Sequence, residues 1–141
     1  EGYLYLAIYG QKKVIIRPHF AMKPVFYEAN SLVRENSRQM SLVCGPLVYC
    51  LEEVDNGAQQ HMLYASPEAV EQAETYTLPF LGREAVGYQF AGFRKKANTV
   101  SDPLYHKAER EEYQPVTLKW IPYFAWANRE EGEMRVWIYK K

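Results

Sequence analysis

The sequence shows no excess of either charge: 17 Lys and Arg are matched by 17 Asp and Glu among 141 residues. That balance removes the electrostatic argument for a nucleic-acid or anionic-membrane partner. Long apolar runs are also missing. Each apolar stretch is broken by Gly, Pro or charge well short of the ~20 residues that a bilayer-spanning helix requires. Histidine occurs only at His19, His61 and His106, and cysteine only at Cys44 and Cys50. A structural zinc site takes about four clustered ligands; these five are scattered, so no metal centre is expected. On one extended segment the two cysteines would lie roughly 20 Å apart, beyond the ~4.4–6.8 Å between the Cα atoms of a disulfide. The Gly45-Pro46 step between them is not expected to reverse the chain sharply enough to pair them, so both read as free thiols. The start, Glu1-Gly2-Tyr3, has neither an initiator Met nor a secretory pattern and reads as an excised fragment.

Aromatics are abundant: 15% of the chain, with 12 Tyr, 6 Phe and 3 Trp. Tyr and Trp suit half-buried strands, and they also suit flat binding surfaces. Residues 3–9 alternate in a strand-like pattern, Gly10-Gln11 reads as a turn, and residues 13–17 read as a second strand. Pro18 and Pro24 make residues 20–28 an edge or irregular strand. Residues 40–44 and 47–52, joined by Gly45-Pro46, are apolar enough to be buried on both faces. Asp55-Asn56-Gly57 is a hairpin or tight-turn signal, and a division of the chain, if there is one, falls near residues 55–60. Ser66-Pro67-Glu68 opens a short helix, with Ser as cap and Pro in the first turn. Gly87 and Gly92, beside Tyr88 and Phe90, mark a strand with a close backbone approach or a bulge. Residues 94–115 form a long polar loop or connection. Residues 116–126 and 134–139 read as a terminal hairpin around a Gly-containing loop. Many short strands and one weak helix predict an all-β, antiparallel β-sandwich, with a jelly-roll arrangement open and at most one short helix.

Two stretches are more specific. Gly45-Pro46-Leu47-Val48-Tyr49-Cys50-Leu51-Glu52, followed by Val54-Asp55-Asn56, resembles a signature of glycoside hydrolase family 127. Ile121-Pro122-Tyr123-Phe124-Ala125-Trp126-Ala127-Asn128-Arg129 and Gly132-Glu133-Met134-Arg135-Val136-Trp137 resemble the segment that closes that family's C-terminal region. Gly2-Tyr3 and Phe20-Ala21-Met22 fit the lead-in, so the resemblance covers nearly the whole chain. It implies a bacterial β-L-arabinofuranosidase-like enzyme with an (α/α)6-barrel catalytic domain followed by β-sandwiches. It also implies a zinc-bound cysteine nucleophile and a glutamate acid/base, both in the barrel. The Glu-x-Cys and paired-cysteine motifs of that barrel do not occur in this sequence. Cys50 therefore inherits no nucleophile role. Cys44 stands where the resemblance implies Arg and inherits no role either.

The residues themselves offer no catalytic centre. Paired-carboxylate glycosidases hold two carboxyl groups about 5 Å or roughly 6.5–9.5 Å apart. Glu52 and Glu53 are neighbours whose side chains leave opposite faces of a strand, and Asp55 reads as a turn residue. The run at residues 109–112 reads as a solvated loop. Trp120, Tyr123, Trp126 and Trp137, with Arg129, are the candidate carbohydrate-binding set. Strand alternation at Val116, Leu118 and Trp120, and at Met134, Val136 and Ile138, instead favours sheet packing. Arg129 is placed to reach a carboxylate or backbone carbonyls at the turn.

Three functions follow. The first is a non-catalytic accessory sandwich that stabilises the barrel or mediates oligomerisation. The second is a carbohydrate-binding module for arabinose-containing plant glycans. The third is an interaction fragment whose apolar face the barrel covers, or which forms a homodimer. No cofactor is expected in the chain, and the resemblance leaves cytoplasm and periplasm both open.

Overall fold

The structure is a computed structural model that describes residues 2–7, 9–10, 13–108 and 110–141. Its centre is the apolar signature. β2 (Gln39–Cys44) and β3 (Leu47–Glu52) form a hairpin in which Cys44 faces Leu47 across the Gly45-Pro46 turn. Gly45 sits at φ 57°, a left-handed conformation glycine adopts without a Cβ penalty. The chain therefore reverses sharply here, which the sequence did not lead us to expect. The cysteines stay unpaired all the same. Cys44 packs in one apolar cluster and Cys50 in the other, because they leave opposite faces of the sheet.

β2 is buried on both faces and so is β3 from Tyr49 to Glu52, as their composition indicates, while Val48 at the start of β3 is exposed. Tyr49 and Leu51 point into the larger cluster, with Met40, Leu42, Phe90, Leu118, Trp120 and Ile138. Cys50 points the other way, towards Leu78, Ala85, Ile121 and Ala125. Phe90 and Trp120 stack at 6.0 Å in the larger cluster, and Phe26 meets both edge-on. Edge-on and stacked pairs are the geometries that the ring quadrupoles favour.

The remaining strands are β1 (Pro24–Glu28), β4 (Leu63–Ala65), β5 (Glu74–Phe80), β6 (Arg83–Lys95), β7 (Tyr113–Pro122), β8 (Met134–Arg135) and β9 (Trp137–Lys140). Hydrogen bonding runs in the order β1-β2-β9-β4-β6-β7-β3-β8, with β5 on β6 and β2 also touching β3. All pairings are antiparallel except β4–β9. The 13-residue β6 carries β5 along its first half and β4 near its end, with β7 along its other edge. This is the all-β class expected. The one α-helix among the described residues is the single turn α1 (Glu53–Asn56), accompanied by short 3-10 turns.

Several local expectations hold. β1 is an edge strand. Residues Pro67–Gln72 form a helical turn with Pro at its start, though it is a 3-10 turn and Ser66 makes no side-chain cap. Gly87 and Gly92 are close approaches. A Cβ at Gly87 would lie 2.5 Å from the Tyr76 ring, and one at Gly92 would lie 2.4 Å from Leu118.

Others are corrected. Residues 3–7, 9 and 13–17 form no strand, since a strand needs a partner for its backbone groups and the edge beside β2 belongs to β1. Residues 8, 11 and 12 lie outside the described residues. Of the two readings of Asp55-Asn56-Gly57 the tight turn holds, since it closes α1 with Gly57 at φ 74° and its N–H donating to Glu53 O, and no hairpin forms there. The polar stretch spans residues 96–112 and links β6 to β7 within one antiparallel ladder. The terminal segments do not form a hairpin together. β7 pairs with β3 and β6, β8 with β3, and β9 with β2 and β4. β3 lies between β7 and β8, which excludes direct pairing. The break at Val136 separates β8 from β9, so Ile138 joins the larger cluster while Met134 and Val136 pack on the smaller one.

Candidate functional site

The last residue of β3, Glu52, is 4% exposed and so needs a partner for its charge. That partner is Arg129. Its Nε donates to Glu52 Oε2 at 3.2 Å, and its Nη2 donates to both Glu52 and Asp55. Glu52 Oε1 accepts from the Ala127 N–H at 2.8 Å. These contacts hold the chain through Ala127, a non-glycine residue at φ 59°. Asn56 braces the other side. Its Nδ2 donates to the Glu52 and Lys119 carbonyls, and its Oδ1 accepts from Lys119 N–H. Asp55-Asn56 thus does more than turn the chain, since it ties α1 to Arg129 and to β7.

The cluster shapes nearby titrations. Burial pushes the Cys50 thiol up to about 12, the Glu52 carboxylate adds to that rise, and Arg129 opposes it. Burial and then Asp55 raise the Tyr76 phenol. The Asp55 hydrogen bond chiefly raises Arg129 further above its already high value. The carboxylates are thereby engaged with a fixed cation, and the thiol is held protonated.

The five candidate residues do not form one surface. Trp120 is fully buried and belongs to the core. Trp137 is half-buried in β9, opposite Ser41. Arg129 is bound to the two carboxylates. Only Tyr123 and Trp126 are exposed, and their rings stack at 6.2 Å and 20°. Phe124 beside them meets Phe80 edge-on at 5.3 Å.

Sequence reasoning anticipated that Arg129 would find a carboxylate at the turn, but it did not identify Glu52 as the main partner. A Glu at the end of an all-apolar strand was the available signal, because a buried charge implies a counter-ion. Glu133 was missed too. Its carboxylate accepts from the Gln59 and Gln60 N–H groups at 3.0 and 2.8 Å, and these amides lower its pKa.

At the C-terminal end of β6, Gln59, His61 and Met62 face residues 95–99, Asp102, His106 and residues 110–112 across a cleft of about 570 Å³. Lys95–Glu111 and Lys96–Glu112 ion pairs border it at 2.6 and 2.8 Å, so this acidic run is paired across the ladder end; residue 109 lies outside the described residues. Among the described residues, no three His, Cys, Asp or Glu side chains gather closely enough to hold a metal ion, and no helix is long and apolar enough to cross a membrane.

Residues 24–139 match the model of the glycoside hydrolase family 127 C-terminal domain. A non-reducing end β-L-arabinofuranosidase of Bifidobacterium longum subsp. longum is 34% identical over 139 residues, which cover 96% of this chain and 21% of that protein. The crystal structure of a family 127 β-L-arabinofuranosidase from Geobacillus stearothermophilus T6 superposes with a TM-score of 0.77 at 36% identity, covering 87% of this chain and 19% of that one. A second family 127 β-arabinofuranosidase structure gives 0.69 at 29% identity, covering 87% and 18%. The chain therefore spans about a fifth of the length of these relatives, and it belongs to glycoside hydrolase family 127 as that family's C-terminal domain.

Proposed function

We propose that this chain is a non-catalytic accessory region of a longer glycosidase acting on arabinofuranosides, and that it stabilises an (α/α)6 catalytic barrel or the oligomer that barrel forms. One observation carries the reading. The groups in this domain that resemble hydrolytic machinery are committed to its own structure. Glu52 and Asp55 both bind Arg129, so both carboxylates are engaged in holding the 127–129 turn. Cys50 is buried with its thiol pushed up to about 12, the opposite of an activated thiolate.

The zinc implied by the resemblance does not fit these residues. Cys44 Sγ lies 3.2 Å from the Tyr88 hydroxyl in one cluster and Cys50 lies in the other, so the thiols cannot share an ion. In the proposed arrangement the catalytic chemistry, with its metal, resides in the barrel.

The test is removal of residues 24–141 from the longer polypeptide. The accessory reading expects a lower melting temperature or a changed oligomeric state, with turnover per folded active site retained. Loss of all turnover from a fully folded, zinc-loaded remainder would contradict it.

A further inference from the structure

The register brings three turns to one end of the sandwich. Tyr49 faces Pro122, Tyr88 faces Trp120 and Phe80 faces Arg83. The Gly45-Pro46 turn, the Leu81-Gly82 turn and residues 123–126 therefore close the same end. Pro24 faces Cys44, and Met22 lies over Gly45, so the segment before Pro24 also arrives there. Six apolar side chains are exposed towards this end, Val48, Leu81, Val86, Tyr123, Phe124 and Trp126, at between 41% and 80%, with the charged Arg83 and Glu84 exposed beside them.

Leu81 is unexplained by the domain itself. Leu81 and Gly82 form a two-residue hairpin turn with φ of 47° and 75°, a geometry that Asn-Gly fits and leucine does not. Its side chain is 80% exposed, so no packing within the domain offsets the strain. Strained backbone and exposed apolar side chains gathered at one end both mark places where something binds. The neighbouring aromatics are held ready in the same way. Glu52 fixes Ala127 at positive φ, and Asn128 Nδ2 donates to the carbonyls of Ala125 and Trp126.

The occupant is indicated by the chain's continuity. Residues 1–23 precede the matched domain, yet the Bifidobacterium alignment covers 96% of the chain, so most of them are shared with a full-length enzyme. Tyr3, Leu4, Tyr5, Ile15 and Ile16 are exposed and unpaired here, which fits strands that belong to a neighbouring unit. We propose that the end formed by Leu81, Tyr123, Phe124 and Trp126 is the docking surface for the unit that precedes this domain in the longer enzyme, reached through the segment before Pro24. The proposal rests on the accessory reading and gives it a surface.

Leu81→Asn tests it by a reversal of sign. In the isolated 141-residue chain it creates Asn-Gly, and the melting temperature should hold or rise by a few degrees. In the longer polypeptide it should fall by about 3 °C or more, with tryptic cleavage at Arg17 and Lys23 several-fold faster. Trp126→Ser should loosen the longer polypeptide likewise, and Leu104→Asn, in the exposed 96–112 loop, should change neither form. A longer polypeptide that gains stability like the isolated chain would overturn the proposal. So would an isolated-chain dimer dissolved by Leu81→Asn with no effect on the longer polypeptide, which would make the patch an interface between copies. Protection of Trp126 from fluorescence quenching by arabino-oligosaccharide in both forms would make it a sugar site instead. Arabinofuranoside hydrolysis by the isolated chain would remove the accessory reading alone, and Leu81→Asn has no bearing on that assay.

Discussion

Arg129 and Glu52, 77 positions apart, are joined by a charge-assisted hydrogen bond at 3.2 Å and a second contact through Nη2. The carboxylate is almost wholly buried, whereas a quarter of the arginine side chain remains exposed. Removing the cation leaves a buried charge uncompensated, the costly direction of such a change. Arg129→Ala is expected to lower unfolding free energy by about 3 kcal/mol, measured by urea denaturation. Arg129→Lys should fall between, since an ammonium cannot bridge Glu52 and Asp55 with the guanidinium's planar fork. A loss below about 0.5 kcal/mol would mean that the pair behaves like a surface ion pair.

The two close-approach glycines give a steric prediction. Gly92→Ala places a methyl carbon 2.4 Å from Leu118 and 2.9 Å from the Tyr64 carbonyl. Backbone cannot yield as a flexible side chain does, so the cost is expected to be about 1–3 kcal/mol. Gly87→Ala meets the Trp120 carbonyl at 2.8 Å as well as the Tyr76 ring and should cost a similar amount. Thermal melts of both variants check this, and a neutral result at either would show that β6 and β7 are more loosely packed than described.

The tryptophans separate core from surface. Trp120→Ala should cost about 3–5 kcal/mol, as truncation of a buried aromatic does. Trp126→Ala should cost about 1 kcal/mol or less in the isolated chain, because its ring is 41% exposed and surface changes are small. Equal losses would contradict the assignment.

Stability should decline in alkali. Burial raises Cys50 from the ordinary 9.0 to about 12, and raises Tyr49 from 10.0 to about 12. The folded state thus keeps protons that the unfolded chain releases first. The contribution is complete below about pH 9 and is lost as pH rises towards 12, at up to about 1.4 kcal/mol per pH unit for each group. Tyr76 and Tyr88, also raised chiefly by burial, extend the trend in the same direction. Cys50→Ala should flatten the decline that begins near pH 9, as read by chemical denaturation across pH 8–11. An unchanged slope would place Cys50 in contact with solvent.

The sequence made local features legible where local chemistry decides them. The doubly apolar β2 and β3, the proline-marked edge strand β1, the Pro67 turn and the spacing demanded at Gly87 and Gly92 all depend on few neighbours. Pairing depends on the whole fold, and there the reading stopped short. Residues 116–126 and 134–139 look like hairpin arms, but β3 occupies the place between them. Residues 3–9 alternate like a strand, and the described ones, 3–7 and 9, lack a partner in this domain. β5, with Thr75, Tyr76, Thr77, Leu78 and Phe80, carried a strand composition but no recognisable turn, because Leu81-Gly82 adopts a turn geometry that leucine does not signal. At the candidate site, Arg129 was visible as a residue seeking a carboxylate. Choosing Glu52 required knowing that the end of β3 is buried beside the 127–129 turn.

The central claim is that this domain carries scaffold and leaves the chemistry elsewhere, and it is tested most directly by assaying the purified 141-residue chain with nitrophenyl β-L-arabinofuranoside, with and without zinc and a thiol reductant. The account predicts no release of nitrophenol above the enzyme-free rate; zinc-dependent, thiol-dependent turnover that follows the protein concentration would contradict it.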